Sequence, residues 1–175
     1  MEIDLGICKI RPWRFADKDS LARYANNRNI WINLRDAFPN PYTLDDAEVW
    51  LNMVVNKKPI TQFAIEVDGK AVGAIGFIIK EDVQRIQAEI GYWLAEEFWG
   101  KGIASKALAA VTDYAFNNFD LHRIFADVFE WNTGSLRVLE KAGYELEVRQ
   151  KKSIIKNGEI IDLFVYVKYR RKADE

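Results

Sequence analysis

The stretch EFWGKGIAS, residues 97–105, sets two glycines, a lysine and a serine between segments of different period. Upstream, IGYWL (90–94) reads as the end of a strand. Downstream, ALAAVTDYAF (107–116) reads as a helix. A glycine turn between strand and helix lets backbone N–H groups converge on phosphate at the positive end of the helix. A P-loop requires G-x-x-x-x-G-K-[ST], and here Lys101 is followed by Gly102, so that motif fails. A dinucleotide fingerprint takes Gly100 and Gly102 but finds Ser105 where its third glycine belongs. It also lies past mid-chain, although Asp127 passes for its ribose-binding acid. The pyrophosphate of coenzyme A is the third reading, and a turn with no ligand is the fourth.

Outward from this turn, the pattern is that of one α/β domain over residues 1–175. TQFAIEV (61–67) and KAVGAIGFII (70–79) flank Asp68-Gly69, a strong hairpin signal. RIQAEIGYWL (85–94) alternates, with Ile86, Ala88, Ile90, Tyr92 and Leu94 on one face and Gln87, Glu89, Gly91 and Trp93 on the other. Ile103, Ala107, Leu108, Val111 and Ala115 form a helical stripe. HRIFADVF (122–129) is a strand. Asn132 caps a helix carrying Leu136, Val138 and Leu139 that ends at Gly143. Two last strands, about 144–155 and 159–169, meet across Asn157-Gly158. In the N-terminal third, CKIRPW (8–13) is a short strand stopped by Pro12. Asp17 is expected to cap a helix to about Asn26, with Leu21, Tyr24 and Ala25 inward. Residues 27–43 are expected to be ordered but irregular, with one helical turn. Thr43 and Asp46 resemble a capping box opening a helix to about Asn56. The RRKADE tail is expected to fray.

Composition narrows the function class. Of 175 residues, 49% are hydrophobic and 29% charged, and the formal net charge is −1, the profile of an ordinary globular domain. So even a balance argues against a sequence-independent nucleic-acid binder. The N-terminus lacks the basic and apolar regions of a signal peptide, and no run is long enough to cross a membrane, so the expected place is the cytoplasm. One cysteine, Cys8, and one histidine, His122, exclude an internal disulfide and a Cys/His zinc site.

The spaced motifs AEIGYWL, WGKGIASKAL, HRI-x-ADV and N-x-GS-x-RVLEKAGY resemble, in order, the GNAT superfamily of N-acetyltransferases. They look closest to the ribosomal-protein N-terminal acetyltransferase branch. The resemblance is dense from about Glu66 to Phe164. It implies a single mixed, mostly antiparallel central sheet with a splayed parallel strand pair and flanking helices. It also implies acetyl-CoA as co-substrate, no metal, and a primary amine as acceptor. The superfamily's phosphate turn maps onto Trp99, Gly100, Lys101, Gly102, Ile103 and Ala104, with Trp99 departing from the usual Gln or Arg. Gly102 and Ala104 keep side chains clear of the phosphates. Ser105 offers a hydroxyl. Lys101 offers charge, or is a solvated lysine. The resemblance gives Tyr92, Trp93 and Leu94 the pantetheine arm, and their strand N–H groups an oxyanion role; the side chain of Tyr92 is better read as packing.

An amine must lose a proton to be acetylated. Glu89, on the Trp93 face of the same strand, is either the general base or a structural, salt-bridged carboxylate. The tyrosine that many relatives use to protonate the thiolate is replaced by Leu139, and Ser135 is the nearest substitute. Asn132 reads as both helix cap and hydrogen-bond partner of the pantetheine or acceptor. Lys141 reads as a contact to coenzyme phosphate or as a solvated lysine. Cys8 is read as buried and structural rather than as an acyl carrier, so direct attack in a ternary complex is expected. His122 is read as structural. Trp31, Leu34, Arg35, Phe38 and Tyr42 are read as the acceptor side; a lid or a homodimer contact is the alternative. The rival function is a catalytically weak acyl-CoA-binding or regulatory module.

Overall fold

A computed structural model describes residues 2–170, so most of the tail expected to fray lies outside the described residues. Eight strands form one sheet in the order β1-β2-β3-β4-β5-β6-β8-β7. They are β1 (Ile3–Asp4), β2 (Lys9–Pro12), β3 (Gln62–Val67), β4 (Lys70–Ile79), β5 (Gln87–Leu94), β6 (Arg123–Phe129), β7 (Glu145–Lys156) and β8 (Glu159–Tyr169). The helices are α1 (Lys18–Ala25), α2 (Arg28–Trp31), α3 (Leu44–Val54), α4 (Ile103–Asn118) and α5 (Thr133–Lys141). The sheet is mostly antiparallel, with one parallel pair, β5 with β6. The expected mixed sheet is therefore present. The chain gathers into two compact units, Met1–Gly76 with Tyr92–Ala107, and Phe77–Gly91 with Leu108–Glu175.

In the first unit, β3 and β4 turn at Asp68-Gly69, where both residues have positive φ, 48° and 76°. This is the backbone that a tight two-residue hairpin demands. Thr43 and Asp46 form the expected capping box, with the Asp46 N–H donating to Thr43 Oγ1 and the Thr43 N–H to Asp46 Oδ2. Trp13, Leu21, Ala25, Tyr42, Ala47 and Leu51 form its core, and Phe38, Trp50 and Trp93 pack against them. Asp17 departs from expectation. It sits at the N-cap position of α1 in helical backbone and makes no capping bond there. Its carboxylate instead takes both terminal nitrogens of Arg11, each at 2.7 Å, and the Arg14 N–H at 2.9 Å. Arg11 is 1% exposed and also pairs with Glu66. A buried guanidinium must be paired, and that demand outweighs a helix cap.

In the second unit, β6 pairs along its whole length with β8, and β8 with β7 across the Asn157-Gly158 turn (φ 51° and 82°). The α4 stripe behaves as expected: Leu108, Val111 and Ala115 are fully buried here, as Ile103 and Ala107 are in the first unit. Asn132 caps α5, accepting the Ser135 N–H at 3.1 Å, and Gly143 (φ 81°) ends it. Ile86 does not share the inner face; it lies before β5 and is 45% exposed. The parallel pairing runs from Gln87↔Arg123 to Glu89↔Phe125, three residues on each strand.

Asp17→Ala strands a buried guanidinium without its bidentate partner. Removing one side of a buried pair costs about 3–5 kcal/mol. Urea unfolding of the variant is expected to show a loss of that size. A loss below about 1 kcal/mol, the worth of an ordinary surface pair, contradicts the assignment.

Candidate active site

In the first unit, β5 ends at Leu94 and the chain reaches α4 through residues 95–102. This connection is braced at several points. The Trp99 indole Nε1 donates to the Leu94 carbonyl at 2.7 Å, so the residue that departs from the family pattern ties the turn to the strand end. Lys101 Nζ lies 5.1 Å from the centre of the Phe98 ring, whose other contact is the edge of Tyr24. Gly100 and Gly102 have φ of +75° and +78°, where a Cβ would be strained. A Cβ added at either glycine would meet nothing within 4 Å, so the backbone there lies open. The first helical bond of α4 runs from the Lys106 N–H to the Gly102 carbonyl at 3.2 Å. The N–H groups of Ile103, Ala104 and Ser105 therefore start outside the helix ladder. Ile103 is buried, while Ala104 and Ser105 are half-buried.

The acceptor-side residues fall into two sets. Tyr42 is in the core, and burial pushes its phenol up to about 12. The Phe38 ring lies tilted against Tyr42 (5.0 Å) and edge-on to Trp93 (6.1 Å), which brings the irregular segment to the end of β5. Trp31 and Leu34 are half-buried, and Arg35 is exposed. Arg28 lies over the Trp31 ring at 5.5 Å. One link was not readable from the sequence. The side-chain amides of Asn27 and Asn29 both donate to Glu96, at 2.9 Å and 3.0 Å.

In the second unit, Glu89 is 15% exposed at its side chain, and its Oε2 accepts from Lys80 Nζ at 2.8 Å. Lys80 also lies over the Phe125 ring at 5.3 Å, and Phe125 is the ladder partner of Glu89. Sequence reasoning left the partner of Glu89 open; the structure supplies Lys80. Phe125 also walls an open hollow of about 390 Å³, together with Gln87, Arg123, Asp127, Glu147 and Leu163. Arg123 is occupied there by Gln87 and Glu147. Asn132 uses its Oδ1 for the cap, Ser135 is half-buried on the first turn of α5, and Lys141 is exposed at its end. Leu139 is fully buried and brings no acid. His122 lies 3.8 Å from Asp120 on the surface.

Residues 8–145 match the family described as "Acetyltransferase (GNAT) domain". The chain belongs to the GNAT acetyltransferases. The probable N-acetyltransferase YjcK of Bacillus subtilis (strain 168) is 43% identical over 93 residues, covering 52% of this chain and 50% of that protein. The chain thus spans about half the length of that relative. A GNAT-family acetyltransferase from Bacillus anthracis has a TM-score of 0.82 at 27% identity, covering 97% of this chain and 98% of its own. Mycobacterium smegmatis RimJ, solved in complex with CoA-disulfide, has a TM-score of 0.81 at 26% identity, covering 93% and 81%. Gly100 and Gly102, both at positive φ, lie just before the start of α4. No helix among the described residues is long and apolar enough to cross a membrane.

Cys8 is 6% exposed, and burial raises its thiol above the ordinary value. A raised thiol is a poor nucleophile near neutrality, because the thiolate is the reactive form. In the native protein Cys8 is expected to resist a disulfide-exchange reagent at pH 8, and to react with one equivalent once unfolded in guanidinium. Rapid stoichiometric reaction in the native state would mean an activated thiol and an acyl-cysteine route.

Proposed function

We propose that this GNAT domain moves the acetyl group of acetyl-CoA to a primary amine by direct attack in a ternary complex. The observation that carries the reading is the turn: two positive-φ glycines directly before α4, with three helix N–H groups outside the ladder. Such an end binds anions through backbone donors and the helix dipole. The description of RimJ in complex with CoA-disulfide supports coenzyme A as the anion's owner. Ile103, Ala104 and Ser105 donate to the pyrophosphate, and Lys101 adds charge. The strand end at Tyr92–Leu94 pairs with the pantetheine amides.

The amine nitrogen attacks the thioester carbon. The C–N bond forms, the C–S bond breaks, and coenzyme A leaves as thiolate. The strand N–H groups stabilise the oxyanion in between. The amine's proton goes to Glu89. Lys80 orients the carboxylate through Oε2. The side-chain amide of Asn132 donates to the pantetheine, and Ser135 hydrogen-bonds the departing sulfur. Trp31, Leu34, Arg35 and Phe38 face the acceptor, which is a protein N-terminus or a small-molecule amine. A second reading, a weak acyl-CoA-binding module, draws on the bond that Lys80 already makes to Glu89 and on the fully buried Leu139, where the resemblance expects a tyrosine. Thiol release from acetyl-CoA across a panel of amines separates the two; release with none of them favours the module.

Two variants test the assignment. Gly102→Val places a branched side chain at an exposed, positive-φ position, so the fold is expected to survive while the N–H cradle is lost. Losing one charge-assisted hydrogen bond, about 1.5–3 kcal/mol, weakens acetyl-CoA binding roughly ten- to a hundredfold. Calorimetry showing parental affinity in a folded variant removes the phosphate from this turn.

Glu89→Gln keeps shape and loses the proton acceptor. Acetyl-CoA affinity is expected to hold, while kcat/KM for the amine falls roughly 10²–10⁴-fold near neutral pH. The defect shrinks as pH rises, because solvent then supplies neutral amine. A profile parallel to the parent's, within about threefold and so below the general-base range, makes the carboxylate structural.

A further inference from the structure

Glu96 lies two residues past the end of β5 and three before the first turn glycine's neighbour, Trp99. Its carboxylate is exposed, yet it is doubly engaged. Asn27 Nδ2 donates to Oε2 at 2.9 Å, and Asn29 Nδ2 donates to both oxygens at 3.0 Å. These amides hold its carboxyl below the usual carboxylate range, so it is ionised and acceptor-only at neutral pH. The two asparagines are themselves fixed. Asn27 Oδ1 caps α2 by accepting the N–H groups of Asn29 and Ile30, at 2.7 Å and 3.3 Å. The Asn29 carbonyl accepts from Asn33 Nδ2 at 2.9 Å, at the far end of the same short helix. The loop is closed at its base, where the Tyr42 N–H donates to Asn26 Oδ1 at 3.0 Å.

A helix of four residues is too short to hold itself. Asn27 and Asn29 tie α2 to Glu96, and Glu96 belongs to the connection that carries Trp99, Gly100 and Gly102. The connection is stiffened on either side by the Trp99–Leu94 bond and by Phe98 against Tyr24. A ligand that orders residues 99–105 therefore orders Glu96, and with it the asparagines that set α2 and the residues following it, Trp31 and Leu34.

We infer that Glu96 is a positioning residue that couples the two substrates: occupancy of the phosphate turn by acetyl-CoA steadies α2 and thereby raises affinity for the amine acceptor. The inference rests on the reading of residues 27–43 as the acceptor side and of 99–105 as the coenzyme side. Coupling of this kind is reciprocal in the binding energies, so the acceptor also tightens acetyl-CoA.

The test uses Glu96→Ala, with Asn29→Ala as a second variant that leaves the Asn27 cap intact. Calorimetry first establishes acetyl-CoA binding to each protein. Hydrogen exchange of residues 28–34 is then followed with and without saturating acetyl-CoA. In the parent, acetyl-CoA is expected to slow exchange there at least threefold; in either variant that added protection disappears although the coenzyme still binds. With the best acceptor among spermidine, a free amino acid and a peptide bearing a free N-terminus, both variants are expected to raise acceptor KM about five- to twentyfold. Their kcat stays within twofold, and the double variant is no worse than either single one. Equal protection of 28–34 in parent and Glu96→Ala overturns the coupling and leaves the coenzyme reading standing. A parent that does not bind acetyl-CoA overturns both. Additive effects in the double variant show that Glu96 and Asn29 act separately and reject the clamp.

Discussion

The β5–β6 pair is parallel, and two parallel strands cannot be joined by a hairpin. Most of this architecture follows from that constraint. The chain leaves β5 at Leu94, returns at Arg123, and spends the residues between on a crossover whose main element is α4. The helix must start just past the end of the strand, and its first N–H groups start without carbonyl partners. The reversal between them falls on Gly100 and Gly102, at φ values few other residues tolerate. A helix end with N–H groups outside the ladder is thus a product of the topology before any ligand is considered. The registered β5–β6 pairing stops at Glu89↔Phe125.

The connection from β5 to α4 also shows how a departure from a family pattern is absorbed. The resemblance read from the sequence expects Gln or Arg where this chain has Trp99. Here the indole N–H bonds the Leu94 carbonyl, which lies at the end of the strand. A tryptophan half out in solvent is costly unless its polar end is used, and this one fixes the turn it opens. Glu89 presents a comparable compromise. Its Oε2 accepts from Lys80 Nζ, which fixes the orientation of the carboxylate. A partly exposed pair of this kind contributes little to stability, so geometry is the better account of why Lys80 stands there.

What was legible in the sequence was local. Asp68-Gly69 and Asn157-Gly158 announced their hairpins because only a few residues accept positive φ in succession. The α4 stripe, the Thr43–Asp46 box and the Asn132 cap were readable because each is a pattern within a few positions. The glycine turn needed its neighbours: alone it excluded a P-loop but left three readings, and the order of the surrounding motifs separated them. Illegible were the pairings between distant side chains. Asp17 looked like a cap, and nothing in its neighbourhood declared that Arg11 would be buried beside it. The Glu96–Asn27–Asn29 link spans nearly seventy residues, with no period to betray it. β1 is two residues long, below the length at which alternation carries information.

The far edge of the sheet bears on how the chain meets its own copies. β7 is a twelve-residue edge strand, exposed along nearly all its length, the kind of edge that invites another strand. Its ladder with β8 is broken twice, between Leu146 and Val148 and between Gln150 and Ile154. At the second break, Asp162 lies opposite the extra residues and takes the Lys152 N–H at 2.8 Å, with Arg149 on its other oxygen. Lys152 has φ of +51° there, so the strand is kinked and its exposed backbone groups are out of line. Bulges and lysines are what protect an edge from extension. The same carboxylate that stabilises the break therefore works against sheet-to-sheet pairing through β7.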